Sequence, residues 1–517
     1  MRCACAVTRP SSSAPSAVPV ERSPAMSTVC PSVARHRRAH RAAVAAVLLC
    51  AFLLHFVATP PAAAQERLRE TEVVFTGSGG TRLHGSVIAP AAGDRLRPAV
   101  VVVHGSGPGR RDDYRAEADA LARRGVAVLI YDKRTEGYSV LRRDYGVLAG
   151  DALAAVRTLR AFPGVDPHRT GLLGISEGGA VAPLAANRSP DPAFVVTVGA
   201  VAVSPARQQA WSYGNFLRHA GVTGSLLTTM ESRVVPQLVS AGLFPEARHN
   251  PISALRELRQ PVLALWGGFD RFAPPREGAE TFRTVLGHGA TSRYRVVVLP
   301  AAEHGLHRTT DAGYTRTATL APGYPDLVAS WISGRPGAVP GTTTEPPDQE
   351  RRTAPVATPA SYETPWVQLT VVLLLLAAFG GYLVLGLADR AAARVRRRRS
   401  GEEPERRTPG PSAARWTALA GTVSVLGGLG WLAWLVLTAA QAIGPVVAGR
   451  PLPWLLVQVA SATTVAAATV TAVSWWRAPA GGHWPGSGTG RRLRFLMLLG
   501  GGALFVPWSV HWGLLVP

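Results

Sequence analysis

Four long apolar stretches in the last third of the chain constrain its fold more than any other feature. Two of them, Trp366 to Ala388 and Trp416 to Ala440, contain no charged residue and are long enough to cross the hydrocarbon core of a bilayer. Two more, Pro453 to Trp476 and Phe495 to Pro517, have similar lengths but include polar side chains. We therefore predict that residues 365–517 form a bundle of about four transmembrane helices.

The distribution of positive charge predicts how this bundle is oriented. The formal net charge of the chain is +22, which by itself would be compatible with a nucleic-acid partner. The arginines, however, are concentrated beside apolar segments, above all from Arg390 to Arg407 and from Arg477 to Arg494. Cytoplasmic loops carry such an excess, whereas the loop between the second and third stretches has only Arg450. The prediction is a multi-pass cell-membrane protein that contacts the lipid bilayer, binds no nucleic acid and holds residues 65–335 outside the cytoplasm.

Residues 1–64 have the features of a leader and a secretory signal peptide. A basic run precedes the apolar segment Ala42 to Val57, and Ala62 and Ala64 fit the small-residue rule for cleavage before Gln65. An uncleaved signal anchor is the alternative, and it too would send the following residues across the membrane. All four cysteines of the chain fall in this leader: Cys3, Cys5, Cys30 and Cys50. The region that follows therefore offers no cysteines for a zinc site or a disulfide framework.

Residues 65–335 alternate short apolar runs with helical stretches, which is the pattern of a parallel sheet covered by helices. Continuous apolar runs such as Ala99 to Val103 are typical of strands that are buried on both faces. The predicted fold class is therefore α/β, with a doubly wound, mostly parallel sheet. The alternation of apolar runs and helical stretches is interrupted at about 205–255, where we predict a small helical cap. Residues 336–364 are predicted to form a Pro- and Thr-rich linker.

The segment Gly174-Ile175-Ser176-Glu177-Gly178 has the spacing of a nucleophile elbow. It follows the apolar run Thr170 to Ile175 and opens a helical stretch, which is the strand–turn–helix context that this motif requires. Small residues on either side allow a tight turn that leaves the serine exposed at the carboxyl end of the strand. Ser176 is therefore the candidate nucleophile.

A serine nucleophile needs a base within hydrogen-bond reach and a carboxylate that orients the base. His304 directly follows the predicted strand Arg295 to Leu299, and Asp270 directly follows the predicted strand Val262 to Trp266. Both residues would thus stand beside Ser176 at the carboxyl edge of the sheet, in the order serine, acid, histidine. The alternatives at neighbouring positions are Glu303 or Asp311 as the acid and His307 as the base.

The oxyanion that forms during attack at an acyl carbon needs backbone N–H donors aimed at it. One candidate is the amide of Glu177, next to the nucleophile at the start of a helix. The other comes from the glycine-rich loop His104 to Gly109, where we assign the amide of Ser106 and keep Gly105 as the alternative. His104 itself is predicted to brace this turn rather than to react.

Three motifs together resemble the α/β-hydrolase superfamily. They are His104-Gly105-Ser106-Gly107-Pro108-Gly109, Tyr131-Asp132-Lys133-Arg134-Thr135-Glu136-Gly137-Tyr138-Ser139 and Gly174-Ile175-Ser176-Glu177-Gly178-Gly179. The nearer likeness is to bacterial esterase-like members of the dienelactone-hydrolase and prolyl-oligopeptidase branch, and it covers about residues 70–335. The resemblance implies a hydrolase that works through an acyl-enzyme, with the triad Ser176, Asp270 and His304 and with neither a cofactor nor a metal. It does not specify the substrate.

The leading hypothesis is a membrane-tethered, extracytoplasmic serine hydrolase that cleaves a small-molecule ester or acyl substrate. A peptidase or thioesterase of the same fold, and a non-catalytic ligand-binding or sensor protein, are the alternatives.

Glu177 places a carboxylate beside the oxyanion site, so it would disfavour anionic acyl groups if it faced the pocket. Asp132 and Arg134 are predicted to form an ion pair with each other. Lys133 is the only lysine among the 55 residues that are Lys or Arg.

Overall fold

A computed structural model describes residues 67–91, 95–334, 343–400, 412–477 and 489–517 of the chain. The predicted leader and signal peptide at residues 1–64 lie outside the described residues. The strands of the main sheet are β1 (Leu68–Thr76), β2 (Arg82–Pro90), β3 (Arg97–Val103), β4 (Ala127–Tyr131), β5 (Val165–Ile175), β6 (Val195–Val198), β7 (Val262–Gly267) and β8 (Tyr294–Leu299).

This main sheet is mostly parallel. Its strand order is β1-β2-β4-β3-β5-β6-β7-β8. β1 pairs antiparallel with β2 and β2 with β4, whereas the remaining pairs are parallel. Every residue of β4 and of β7 is buried, which is why these strands are continuous apolar runs rather than alternating ones. The predicted α/β class with a doubly wound, mostly parallel sheet is confirmed.

Helices cover both faces of the sheet, as buried parallel strands require. The helices of this region are α1 (Arg115–Ala122), α2 (Tyr145–Arg160), α3 (Gly178–Arg188), α4 (Pro205–His219), α5 (Ser225–Thr229), α6 (Val235–Ser240), α7 (Pro251–Glu257), α8 (Pro275–Gly287) and α9 (Tyr324–Ile332). α2, α3 and α8 bury apolar residues against one face of the sheet, and α1 and α9 do so against the other.

The parallel strands β5 to β8 bring their carboxyl ends to one edge of the sheet. Ile175 at the end of β5 pairs with Val198 of β6, and Gly267 of β7 pairs with Leu299 of β8. Residues that directly follow these strands therefore become neighbours in space. A two-stranded ribbon that the sequence did not predict lies beyond β8 and consists of β9 (His307–Thr309) and β10 (Arg316–Leu320).

Among the described residues, four helices near the end of the chain are long and apolar enough to cross a membrane, as predicted. They are α10 (Pro365–Ser400), α11 (Ser412–Leu437), α12 (Leu452–Trp476) and α13 (Thr489–His511). A short ribbon of β11 (Val446–Val447) and β12 (Arg450–Pro451) lies between α11 and α12.

Helices α4 to α6, which form most of the cap, rest on one end of this bundle. The hydroxyl of Ser225 donates to the carbonyl of Gly513 at 2.8 Å, and that of Thr229 donates to the carbonyl of Trp512 at 3.0 Å. Apolar cap residues, Phe216 among them, share one buried core with residues of the bundle. The cap is therefore packed against the bundle and shares its buried core.

The predicted Pro- and Thr-rich linker is not a free tether where the structure describes it. Thr343 exchanges two backbone hydrogen bonds with Val298 of β8, at 2.7 and 2.9 Å. Thr353 donates to the carboxylate of Glu277 on α8 through its amide at 2.9 Å and its hydroxyl at 3.0 Å. These hydrogen bonds satisfy polar groups of the linker that would be hydrated in a free tether.

Candidate active site

Ser176 lies at the turn between β5 and α3 in a strained backbone conformation. Its φ is 56°, a left-handed value that is uncommon for a residue with a side chain. The turn is held because the Ser176 amide donates to the carbonyl of Val198 on β6 at 2.8 Å. A β-carbon on Gly174 would collide with the backbone of Gly178, which explains the small residues of the motif. The side chain of Ser176 remains partly exposed at the sheet edge.

His304 and Asp270 are hydrogen-bonded partners that come from separate loops. Nδ1 of His304 lies 2.7 Å from Oδ2 of Asp270. The other carboxylate oxygen accepts from the amides of Phe272 at 2.9 Å and Ala273 at 2.7 Å, so the carboxylate is fixed in position. The Asp270 side chain is fully buried and that of His304 is 14% exposed. Because Nδ1 is engaged, Nε2 is the ring nitrogen that can act as a base.

The surroundings of His304 favour its protonated form. Burial by itself lowers the pKa, but the charges of Asp270 and Glu303 outweigh burial and raise the pKa of His304 above its ordinary value of 6.5. The ring of Phe272 covers the imidazole, with 5.3 Å between the two ring centroids. Such a base can take a proton from an adjacent hydroxyl and hold the positive charge that results.

The end of β6 lies between the predicted nucleophile and the predicted base. Val198 accepts the amide of Ser176, and the next residue, Gly199, contacts the imidazole of His304. The structure therefore brings Ser176, His304 and its partner Asp270 to the same edge of the sheet, each in the turn or loop that follows a different parallel strand.

The neighbouring candidates for acid and base have other partners. Glu303 is buried and accepts two backbone amides of its own loop, both at 2.9 Å. Asp311 accepts hydrogen bonds within a turn that includes its own neighbours. His307 is buried, and its Nε2 lies 3.0 Å from the carboxylate of Glu117. These contacts brace the loop around the predicted base.

The loop after β3 leaves one of three consecutive amides free. The amide of Gly105 donates to the hydroxyl of Tyr114 at 2.9 Å, and that of Gly107 donates to the hydroxyl of Tyr138 at 3.0 Å. Within the described part of the chain, the amide of Ser106 between them has no hydrogen-bond partner, and neither has the amide that follows the nucleophile. Both predicted oxyanion donors are therefore uncommitted, while Gly105, the alternative, is engaged.

His104 braces the start of this loop, as expected. It is buried, and its Nε2 is hydrogen-bonded to the carbonyl of Tyr131. Burial lowers the pKa of His104 to about 4, so the ring is neutral at ordinary pH. A β-carbon on Gly109 would collide with the imidazole, which shows how closely the loop wraps around it.

The side chain of Glu177 enters a buried ion cluster that the sequence did not predict. Oε1 accepts from Nζ of Lys133 at 2.6 Å and from the hydroxyl of Tyr138 at 3.0 Å, while Oε2 accepts from Arg143 at 2.9 Å. The side chains of Lys133 and Glu177 are 3% and 2% exposed. Glu177 was expected to disfavour anionic acyl groups only if it faced the pocket; its side chain is instead buried, and two cations face this one carboxylate.

Asp132 and Arg134 do not pair with each other, so the predicted ion pair between them was wrong. Arg134 donates to both carboxylate oxygens of Asp151 on α2, at 2.6 and 2.8 Å. Asp132 instead accepts the amide of Arg111 at 3.0 Å. The reason is burial: the Asp151 side chain is 2% exposed and requires a cation, whereas that of Asp132 is 38% exposed.

A cavity of about 340 Å³ adjoins the loop that carries the predicted oxyanion donors. It is lined by that loop and by Asp113, Tyr114 and Arg316. A larger cavity of about 620 Å³ is lined by residues of the cap, such as Arg207 and His249, and by residues of α8, such as Glu277. The smaller cavity is the candidate substrate site because Ser106, one of the two predicted oxyanion donors, lies in its lining.

Comparison with known proteins points to hydrolases. The sequence model of the family described as serine aminopeptidase, S33, matches residues 94–252, a range that contains Ser176. Esterase EstD of Thermotoga maritima is 25% identical over 293 residues, which cover 52% of this chain and 68% of the esterase. Thiohydrolase aneE of Aspergillus aculeatus is 32% identical over 116 residues, which cover 22% of this chain and only 36% of the thiohydrolase.

Among solved structures, a dienelactone hydrolase from Anabaena variabilis matches with a TM-score of 0.33 and 22% identity, covering 52% of this chain and 98% of that one. The family match and the sheet order agree with the resemblance drawn from the three sequence motifs. A strained serine at the turn between β5 and α3 belongs to the same pattern. Residues 67–334 therefore have the α/β-hydrolase fold, and their sequence is similar to the serine aminopeptidase family and to an esterase.

Proposed function

We propose that this protein is a serine hydrolase that cleaves carboxylic esters through an acyl-enzyme. Ser176 is the nucleophile, His304 its general base, and Asp270 holds the imidazole in the required tautomer. The observation that carries the proposal is the 2.7 Å bond between Asp270 and His304, at the sheet edge where Ser176 occupies a left-handed turn. Strain of this kind at a polar side chain is typical of reactive sites.

The proposed reaction has two steps. Oγ of Ser176 attacks the acyl carbon while His304 takes the hydroxyl proton, and the same proton then passes to the departing alkoxide. Water attacks the acyl-enzyme by the same route, which releases the carboxylic acid and restores the serine. In both steps the amides of Ser106 and Glu177 would stabilise the tetrahedral oxyanion.

An acyl ester suits this site better than the amino terminus of a peptide. An aminopeptidase has to bind a substrate ammonium group, for which a free carboxylate beside the nucleophile is the natural partner. Glu177 is next to the nucleophile, but Lys133 and Arg143 already occupy its two oxygens. The likeness to an esterase supports the same choice, and the likeness to a thiohydrolase makes thioesters the second acyl class to assay.

We also propose that the bundle spans the cell membrane with the hydrolase domain outside the cytoplasm. The cap contacts the end of the bundle that includes Gly449, between α11 and α12, and Gly513, after α13. Arginines are concentrated at the opposite end, where Arg494 pairs with Asp389 at 2.6 Å. Because cytoplasmic ends carry the excess of positive charge, this polarity supports an extracytoplasmic hydrolase.

The enzymatic proposal is tested on the full-length protein in detergent micelles, because the cap shares its core with the bundle. A fluorophosphonate probe should label the wild type and Ser253→Ala, which alters an exposed serine on α7, but not Ser176→Ala. Ser176→Ala should also lower kcat by about 10³–10⁶-fold. Labelling of Ser176→Ala at the wild-type level would refute the assigned nucleophile.

Substrate class is tested with p-nitrophenyl esters from acetyl to palmitoyl, a matched thioester and an amino-acid p-nitroanilide. We expect the highest kcat/KM for an ester. Faster turnover of the thioester or the anilide would replace the proposed substrate class without changing the nucleophile. No labelling and no turnover of any of these compounds would favour the non-catalytic, ligand-binding alternative.

A further inference from the structure

The only lysine of the chain occupies a buried site with three acceptors. Nζ of Lys133 lies 2.6 Å from each of three atoms: the carbonyl oxygen of Gly105, the hydroxyl of Tyr138 and Oε1 of Glu177. An ammonium group has three donors on a compact head, so each acceptor receives one N–H. A guanidinium is planar and forked and does not fit this arrangement. The chain uses arginine at every other basic Lys or Arg position, and this site therefore requires lysine.

Two of these acceptors lie beside the proposed oxyanion donors: the Gly105 carbonyl precedes the Ser106 amide, and the Glu177 carboxylate belongs to the residue that supplies the other amide. The carbonyl of Gly105 and the amide of Ser106 are parts of one planar peptide unit, in which a trans bond points the two groups in opposite directions. Fixing the Gly105 oxygen therefore fixes the direction of the Ser106 N–H. Glu177 supplies the second proposed donor from its own backbone, and its side chain is held by the same Nζ atom.

Tyr138 completes the connection between the loop and the nucleophile turn. Its hydroxyl accepts from Nζ of Lys133 at 2.6 Å and from the amide of Gly107 at 3.0 Å, and it donates to Glu177 at 3.0 Å. The hydroxyl thus keeps the Gly107 amide occupied while the preceding amide stays free. Arg143 adds a second link, since it donates to Glu177 at 2.9 Å and to the hydroxyl of Ser106 at 3.2 Å.

We propose that Lys133 is a positioning residue that fixes the Gly105–Ser106 peptide against Glu177, so that both backbone donors meet at one oxyanion. This inference rests on the proposed serine-hydrolase function and adds to it the device that sets the geometry of the oxyanion hole. The positive charge of Lys133, whose Nζ lies 2.6 Å from the Gly105 carbonyl oxygen, also polarises this peptide and strengthens the Ser106 N–H as a donor. Lys133 itself does not contact the substrate in this scheme.

The test compares Lys133→Met, Lys133→Arg and Tyr138→Phe with Arg134→Met as a matched control. Arg134 is the next residue and is also a buried, paired cation, but its partners are Asp151 and the carbonyl of Ser78 rather than the oxyanion loop. The full-length enzyme is assayed with p-nitrophenyl butyrate, and kcat is calculated per active site titrated with the fluorophosphonate probe.

Lys133→Met should lower kcat by about 10²–10³-fold with little change in KM, since this is the usual cost of losing an oxyanion donor. Lys133→Arg should not restore kcat, and Tyr138→Phe should cause a smaller loss. Arg134→Met should lower thermal stability yet keep kcat per titrated site. If Lys133→Met does not fold, Lys133→Arg and Tyr138→Phe decide the question.

A second readout separates positioning from a purely structural role. A butyl trifluoromethyl ketone forms a tetrahedral adduct with a serine nucleophile, and its oxyanion occupies the hole. Its inhibition constant should weaken in Lys133→Met by the same factor as kcat/KM and should stay unchanged in Arg134→Met. Wild-type kcat and inhibition in Lys133→Arg or Tyr138→Phe would overturn the inference while leaving Ser176 as the nucleophile. An inactive wild type would instead refute the proposed function.

Discussion

Gly199 lies directly against His304, so that a β-carbon on Gly199 would come within 2.8 Å of both Nδ1 and Cε1 of the imidazole. The φ of Gly199 is also positive, at 57°, which disfavours any other residue. Gly199→Ala should therefore displace the imidazole and lower kcat/KM by about 10²-fold, the scale of loss for a misplacement of 1 Å. The measurement is p-nitrophenyl ester hydrolysis by the full-length enzyme.

Gly125→Ala is the matched control for that substitution. Gly125 has a φ of 85°, and no atom lies within 4 Å of the position of its β-carbon. Both variants should lose about 1–2 kcal/mol of stability from the left-handed backbone. Only Gly199→Ala should lose activity per active site, and equal kcat values in the two variants would show that the contact with His304 is unimportant.

Replacement of Asp270 tests the carboxylate assignment. Asp270→Asn should keep the fold but lower kcat by about 10⁴-fold, because the amide no longer holds the tautomer and charge of His304. Glu303→Gln and Asp311→Asn retain an acceptor oxygen in their loop contacts and should stay within about tenfold of the wild type. An active Asp270→Asn enzyme beside an inactive Glu303→Gln or Asp311→Asn enzyme would identify a different acid.

The pH dependence of activity follows from the pKa of His304. Below that pKa the imidazole is protonated and does not accept the proton of Ser176, so activity is lost as the pH falls. Burial lowers the pKa and the Asp270 and Glu303 carboxylates raise it, with a net rise above 6.5. The acid limb of kcat/KM should therefore have its midpoint above pH 6.5, and in Asp270→Asn the limb should move to lower pH. An unshifted limb in that variant would contradict this account.

Membrane topology is tested by proteolysis of intact spheroplasts. Protease added from outside should remove the hydrolase domain, while the arginine-rich segment 390–415 should stay protected because positive loops are retained in the cytoplasm. Epitope tags at the two positions report the outcome on immunoblots. Protection of the domain together with cleavage at 390–415 would reverse the topology and give the enzyme cytoplasmic substrates.

The contact between cap and bundle is tested with the double variant Ser225→Ala and Thr229→Val. Loss of the two hydroxyls leaves the carbonyls of Gly513 and Trp512 without these partners, which should cost about 1–3 kcal/mol. We expect a lower melting temperature in detergent and faster proteolysis within the cap. Thr228→Val, which alters an exposed neighbour, should behave like the wild type. Equal proteolysis rates in all three proteins would show that these bonds do not hold the cap.

The strands and the placement of the candidate triad were predictable because both depend on local patterns. A buried parallel strand is a continuous apolar run, and the residue after such a strand stands at the sheet edge. Ser176, Asp270 and His304 each follow a run of this kind, so their placement at one edge of the sheet required no knowledge of long-range contacts.

The partners of charged residues were not predictable in this way. Glu177 and Lys133 are 44 residues apart, and nothing in either segment specifies the other. Arg134 takes Asp151 rather than its neighbour Asp132, because the choice depends on which carboxylate the fold buries. The contacts of the predicted linker were not predictable for a related reason, since its composition does not indicate that Thr353 hydrogen-bonds to Glu277 of α8.

The bond from Ser225 to Gly513 joins residues that are 288 positions apart. During synthesis the hydrolase sheet is complete long before the ribosome reaches the last helix, and domains generally begin to fold as they emerge. The cap, however, lacks its partner until α13 has been made and placed beside the other helices. Maturation of the domain is therefore coupled to completion of the bundle: a chain that stalls before its final helix carries a finished sheet but a cap without its partner.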